Sequence, residues 1–388
     1  VAERLPIAAP AGDAGDAARL RFRDPQRARA LAGRLRELAD RRSHDPVSLM
    51  HVCGSHEQSI ARFGLRALFP RSLRVIMGPG CPVCVTDVPE VDEAVALARQ
   101  GIPIATYGDM LRVPGSSQSL ADARAEGAAV HVVYSVDAAV ALAREHQGEL
   151  VFFASGFETT AVATAAALLA GPPANFSVLS AHKYIPPVME IVAEMPDTRI
   201  EGFLAAGHAA TITGWGVFER FVLRHRLPVV VAGFEPLDIL AGLVQLLELA
   251  LEGQPRVVNA FPRCVTREGN ARAQETLWRV FRPMGGQWRG IAHVPGGNLR
   301  LREEWAGFDT RRRFEIDASE LRDRAIGGLA AACRCGDIMA GLASPADCRL
   351  FGNACLPATP VGACMVSSEG TCRIEHMYQG QPRWELAP

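Results

Sequence analysis

Three groups of cysteines carry the residue types and spacings needed for redox or metal chemistry. In Gly78-Pro79-Gly80-Cys81-Pro82-Val83-Cys84 the C-x-x-C spacing lets two sulfurs meet as a reversible disulfide, and a helix start nearby would favour a thiolate. The same pair could instead give half of a zinc site, or simply pack. In Cys53-Gly54-Ser55-His56-Glu57-Gln58 a thiol and an imidazole stand three apart. At a helix start they share a face and could bind one metal ion or act as nucleophile and base, with buried packing as the plainer alternative. The third group holds six of the ten cysteines, Cys333, Cys335, Cys348, Cys355, Cys364 and Cys372. Between Cys333, Cys348, Cys355 and Cys372 lie 14, 6 and 16 residues. Four thiolates on such Gly- and Pro-rich loops can enclose a 4Fe-4S cluster, whereas zinc usually takes two close C-x-x-C pairs, which this segment lacks. Cys333 and Cys335 stand too close for both to serve easily, so one of the two is spare and spacing leaves open which; by default Cys335, Cys364 and the isolated Cys264 are expected to pack as small hydrophobes.

Elements that could position these groups repeat from about residue 46 to 236. A short β-branched or apolar run is followed by a Gly, Ser or Pro turn and then an Ala/Leu-rich helical pattern. The runs are 48–52, 73–77, 102–106, 130–134, 150–154, 177–179, 202–205 and 228–232. Continuous apolar runs alternating with helices predict parallel sheet covered on both faces. Eight units exceed one small sheet, so the expected fold is α/β, with two parallel-sheet domains around a central cleft and a carboxy-terminal iron-sulfur domain. The expected limits are a flexible lead over 1–20, a first domain over 21–145, a second over 146–255 and the cluster domain over 256–388. Cys53, Cys81, Cys84, His182, Lys183, His208 and the turn Gly156-Phe157-Glu158-Thr159-Thr160 all follow strands, and ligands bind beyond the carboxyl ends of parallel strands. Glu158 would serve there as a proton acceptor or hydrogen-bond anchor, or the turn would only cap a helix.

Composition narrows the class. The 388 residues are 48% hydrophobic and 21% charged, which is globular. With 41 basic against 42 acidic side chains there is no general attraction to nucleic acid or anionic lipid. The longest apolar stretch, 237–251, is broken by Asp238, Gln245 and Glu248, so no membrane span is expected. The start shows no basic region followed by an apolar core, and a cytoplasmic location is expected. Arg311 to Arg313 read as a solvated face. All basic residues are Arg except Lys183, a bias that base composition of the coding sequence explains without explaining the one Lys.

Taken together, the Cys53 segment, Gly78 to Cys84, Gly156 to Thr160, Ser180 to Lys183, Gly233 to Leu240, Pro295 to Glu304 and Cys333 to Cys372 resemble the HypD family of nickel-iron hydrogenase maturation proteins. The resemblance implies a scaffold on which an iron ion receives cyanide and carbon monoxide, held jointly with a HypC-type chaperone, while a HypE-type partner delivers cyanide. It implies Cys53 as the iron ligand with His56 in support, Cys81 and Cys84 as a redox dithiol, and a 4Fe-4S cluster on Cys333, Cys348, Cys355 and Cys372. Gln58 departs from the family's usual second His, and a neutral amide cannot replace imidazole as a base or ligand. Lys183 is expected to anchor cyanide or a carboxylate. A cluster-linked thiol-disulfide reductase using Cys81 and Cys84 is the competing reading.

Overall fold

The computed structural model describes residues 22–42, 45–316 and 328–378, so the expected lead over 1–20 lies outside the described residues. Each of the eight apolar runs contains a strand: β1 (Val47–His51), β2 (Leu73–Met77), β3 (Ile104–Tyr107), β4 (Val130–Val133), β5 (Leu150–Gly156), β6 (Phe176–His182), β7 (Ile200–Ala206) and β8 (Val229–Ala232). Three more follow, β9 (Val257–Asn259), β10 (Phe281–Trp288) and β11 (Ala292–Leu301). β1, β5, β6 and β8 are buried at every residue, which is why their sequences run apolar without alternating.

The strands form two parallel sheets. The first has the order β2-β1-β7-β8-β9 and the second β4-β3-β5-β6. β10 and β11 make an antiparallel pair, and β11 packs beside β6. This topology corrects the expected domain limits. A cut at 145 falls inside the second sheet, because β3 and β4 pair into β5 and β6. The first sheet takes β1 and β2 from before that unit and β7 to β9 from after it. A cut at 255 likewise separates β9 from its partner β8. Chain order misled here because a parallel strand finds its neighbour only after a long crossover, and nothing local marks where a crossover changes sheet.

The carboxy-terminal segment is built of short helices, Cys335–Met339, Ala363–Val366 and Thr371–Tyr378. They pack against the helix Gly54–Arg62 after β1 and the turn Pro82–Val85 after β2. The strand-end edge of the first sheet is therefore covered by this segment. No helix among the described residues is long and apolar enough to cross a membrane.

Buried charges tie the second sheet to its surroundings. Lys183, just past β6, is fully buried; its ammonium donates to Glu90 Oε2 at 2.8 Å, Asn298 Oδ1 at 3.1 Å and the Gln287 carbonyl at 3.4 Å. Arg300 donates to the other oxygen of Glu90 at 3.1 Å. Burial alone would raise Glu90, yet Lys183, Arg300 and Arg311 bring it down to about 2. The lysine thus anchors a carboxylate of its own chain, and its ammonium is committed there. The Arg311 to Arg313 run is corrected as well: Arg311 pairs with buried Glu93 and donates to the Ser180 carbonyl at 2.9 Å, and Arg313 pairs with Glu149 at 2.7 Å, so only Arg312 is mainly exposed. Removing one partner of a buried pair costs about 3–5 kcal/mol. Urea denaturation of Lys183→Met is expected to show a loss in that range, with Lys183→Arg also destabilised. A loss under about 1 kcal/mol, the size of an exposed pair, would refute the structural role.

Candidate functional site

β1 ends at His51, and two residues later Cys53 caps the helix Gly54–Arg62 in an extended conformation (φ −156°, ψ 127°). Its thiol is buried, which pushes its pKa up to about 12 against the pull of the His56 and Ser55 amides. Two neighbours close over it. A Cβ on Gly80 would stand 2.1 Å from the Cys53 nitrogen, and Gly54 N donates to the Gly80 carbonyl at 3.0 Å. On the other side a Cβ on Gly54 would stand 2.4 Å from Cβ of Glu369, whose carboxylate accepts from Ser55 Oγ at 3.0 Å.

His56 is turned toward the end of β8, where its Nε2 lies 3.0 Å from the Gly233 carbonyl and its ring packs on Phe234. A carbonyl only accepts, so Nε2 carries the hydrogen and Nδ1 is the bare nitrogen. Nδ1 is buried and has no hydrogen-bond partner among the described residues. Burial, with His51 and His208 nearby, lowers its pKa to about 3, so the ring is neutral. Behind Cys53 stands a relay, buried at His51 and Glu57 and exposed at Arg66, that the sequence reading missed. His51 Nδ1 faces the Cys53 carbonyl at 3.1 Å, His51 Nε2 faces Glu57 at 2.8 Å, and Arg66 pairs with the other Glu57 oxygen. Burial would raise Glu57, but Arg66 and His51 hold it near 2. Glu57 within the Cys53 motif was the available signal, because a carboxylate on a buried helix face requires a cation.

Cys81 and Cys84 are joined as a disulfide across the turn Pro82–Val85. Thr86 Oγ1 lies 3.2 Å from Ser155 Oγ at the end of β5, so this turn bridges the two sheets. The Cys84 sulfur lies 4.0 Å from the Ala363 carbonyl, one residue before Cys364. All three strand-end cysteines are buried, so they do not line an open cleft as expected.

The carboxy-terminal thiols gather around Gly362, where a Cβ would stand 2.5 Å from the Cys333 sulfur and 2.6 Å from that of Cys335. Those two sulfurs are 3.3 Å apart. Cys364 hydrogen-bonds Cys335 and feels Cys372, while Cys355 feels Cys333 and Cys335. Cys335 and Cys364, expected only to pack, therefore belong to the thiol group, while Cys264 is exposed rather than buried. Cys348 is buried in the same apolar cluster. Six free thiols in this segment suit the all-cysteine ligation of an iron-sulfur cluster. Among the described residues no three His, Cys, Asp or Glu side chains are arranged as a site for a single metal ion.

Glu158 opens the helix Glu158–Leu169 after β5 and accepts from the Ile185 amide at 2.9 Å. Its other oxygen is buried without a hydrogen-bond partner among the described residues, and burial raises its pKa to about 7. That is a carboxyl suited to holding a proton near neutrality. His182 is held between Thr164 and the Gly156 carbonyl and is lowered to about 4, mainly by burial.

Comparison with known proteins accords with this arrangement. The HypD family model, described as the Hydrogenase formation hypA family, matches residues 26–379. A hydrogenase maturation factor of Azotobacter vinelandii is 42% identical, over 93% of this chain and 96% of its own length. Those of Bradyrhizobium diazoefficiens and Cupriavidus necator are 41% and 40% identical, each over 92% of this chain and over 95% and 96% of their own lengths. With a family match across nearly the whole length and relatives this similar, the chain belongs to the HypD family.

Proposed function

We propose that this chain is a cytoplasmic hydrogenase maturation factor that holds an iron ion while cyanide and carbon monoxide are attached to it. Cys53 is the iron ligand, shared with a small HypC-type chaperone, and a HypE-type partner supplies the cyanide. The observation that carries this reading is the backbone contact between Gly80 and Cys53, which brings Cys53 against the residue that precedes the Cys81–Cys84 pair. Iron that accepts such ligands is electron-rich, and a thiolate is a soft donor suited to it. Held by Cys333, Cys348, Cys355 and Cys372, a 4Fe-4S cluster would supply electrons to this edge.

The chain's own groups have defined tasks. The relay Arg66–Glu57–His51 fixes the Cys53 carbonyl and so the direction of its side chain. Neutral His56 supports the site through its bare Nδ1, and Glu158 holds a proton at the start of the helix after β5. Gln58 takes no titrating or ligating part.

Two results are expected. Cys53→Ala, purified anaerobically with its HypC-type chaperone, loses the iron-carbonyl and iron-cyanide infrared bands completely. Bands that persist would sink the ligand role and favour a thiol-disulfide reductase, which needs only Cys81 and Cys84. Cys348→Ala loses the brown cluster absorption and its bound sulfide, whereas Cys364→Ser keeps both. An unchanged spectrum in Cys348→Ala would show that the ligand set is a different four of the six thiols.

A further inference from the structure

A positive charge partly buried near the carboxy-terminal thiols has no part in the roles above. Arg289 follows β10, at the turn into β11. Its amide donates to the Val85 carbonyl at 3.1 Å, and its guanidinium donates to the Pro114 carbonyl at 2.6 Å. The next residue, Gly290, meets Gly336 backbone to backbone, and a Cβ on Gly336 would stand 2.1 Å from the Gly290 oxygen. Gly336 directly follows Cys335. The hairpin turn is thus wedged between the dithiol turn on one side and the first turn of the Cys335–Met339 helix on the other, and it carries the guanidinium with it.

The protein compensates that charge only in part. Nε of Arg289 is shielded from water and has no hydrogen-bond partner, and Arg289 forms no ion pair among the described residues. The chargeable groups that face it are Asp87 and Asp92 from the helix Val88–Arg99 and its cap, and Cys335 and Cys333 from the thiol group. Asp87 is engaged in capping Val88, and Asp92 Oδ1 accepts from the Ser116 amide at 2.8 Å. These two carboxylates, Asp92 with its second oxygen buried and free of hydrogen bonds among the described residues, offset the guanidinium charge in part, and a cation held largely away from water without an ion pair favours a further negative charge. An iron-sulfur cluster held by four thiolates is an anion in both of its redox states and would be that charge.

We propose that Arg289 is a positioning residue whose partly buried guanidinium serves as counter-charge to a thiolate-ligated cluster beside Cys333 and Cys335, and raises its reduction potential. The inference rests on the cluster reading given under Proposed function. The step it affects is the gain of one electron by the cluster, with no bond made or broken. Reduction adds negative charge, and a cation fixed nearby in a poorly screened interior stabilises the reduced form more than the oxidised one.

The test is a redox titration of the whole chain, loaded with iron and sulfide and reduced stepwise with dithionite, followed by electron paramagnetic resonance. In Arg289→Gln and Arg289→Met the one-electron equilibrium is expected to shift about tenfold toward the oxidised form, which is about 59 mV lower. Arg289→Lys keeps the charge and stays close to the parent value. If both neutral variants fold, by circular dichroism, yet take up no cluster while Arg289→Lys does, the charge decides assembly and the proposal also stands. An unchanged potential in a cluster-bearing Arg289→Gln overturns it, as does equal loss of the cluster in all three variants. A parent chain that takes up no iron and sulfide would instead overturn the cluster reading itself.

Discussion

The chemistry of this chain depends on two strand-end loops meeting with nothing but backbone between them. Gly80 sits where any side chain would run into the main chain of Val52 and Cys53. Because β1 and β2 are adjacent and parallel in register from Val47–Leu73 to His51–Met77, their following loops emerge side by side. A missing side chain then lets Cys53 and the Cys81–Cys84 turn share one buried space. Gly54 performs the same service toward Glu369, and Gly362 toward Cys333 and Cys335. Each cysteine group is admitted at a glycine, so the arrangement is fixed by the absence of atoms as much as by contacts.

Burial has consequences for what the thiols can do. Cys53, Cys81, Cys84 and the carboxy-terminal cysteines other than Cys333 belong to one apolar cluster, against which Cys333 packs. In such surroundings a thiolate is disfavoured unless a cation, a metal or amide donors offset its charge, and desolvation is the leading cause of the raised pKa of Cys53. The site therefore favours metal ligation, where a cation arrives with the charge, over free thiolate chemistry at a solvent-exposed edge. The His51–Glu57–Arg66 relay fits the same logic. It keeps one carboxylate in the interior, with its guanidinium partner at the surface, to hold one carbonyl, a structural cost that is reasonable only where the direction of the adjacent side chain matters.

Much of this was legible in the residues. Parallel strands buried on both faces leave uninterrupted apolar runs, and each of the eight runs holds a strand. The functional types after those runs marked the strand-end edge, and the cysteine spacings marked the dithiol and the thiol-rich segment. The order of strands was not legible, because β1 pairs with β7 across 148 residues without any local trace of the partner. Nor were the roles of Cys335 and Cys364. Spacing along the chain measures reach, whereas the turn at Gly362 meets the sulfurs of Cys333 and Cys335, and Cys364 lies against Cys335. Arg289 escaped notice because one arginine among many in an Arg-rich chain carries no signal until its burial is known.

Lys183 shows how a composition bias yields to geometry. Its three acceptors are a carboxylate oxygen, an amide oxygen and a backbone carbonyl, drawn from the helix Val88–Arg99, from β11 and from β10. An ammonium at the end of a flexible stem offers three donors from a single point, whereas a guanidinium offers a planar fork of larger size. Glu90 uses both kinds at once, with Arg300 at one oxygen and Lys183 at the other. At exposed pairs such as Arg312 with Glu303, either cation would serve, so pressure toward arginine meets no resistance. At the fully enclosed Lys183 site the three ammonium donors meet three acceptors, whereas the five donors of a guanidinium would outnumber them, and lysine persists.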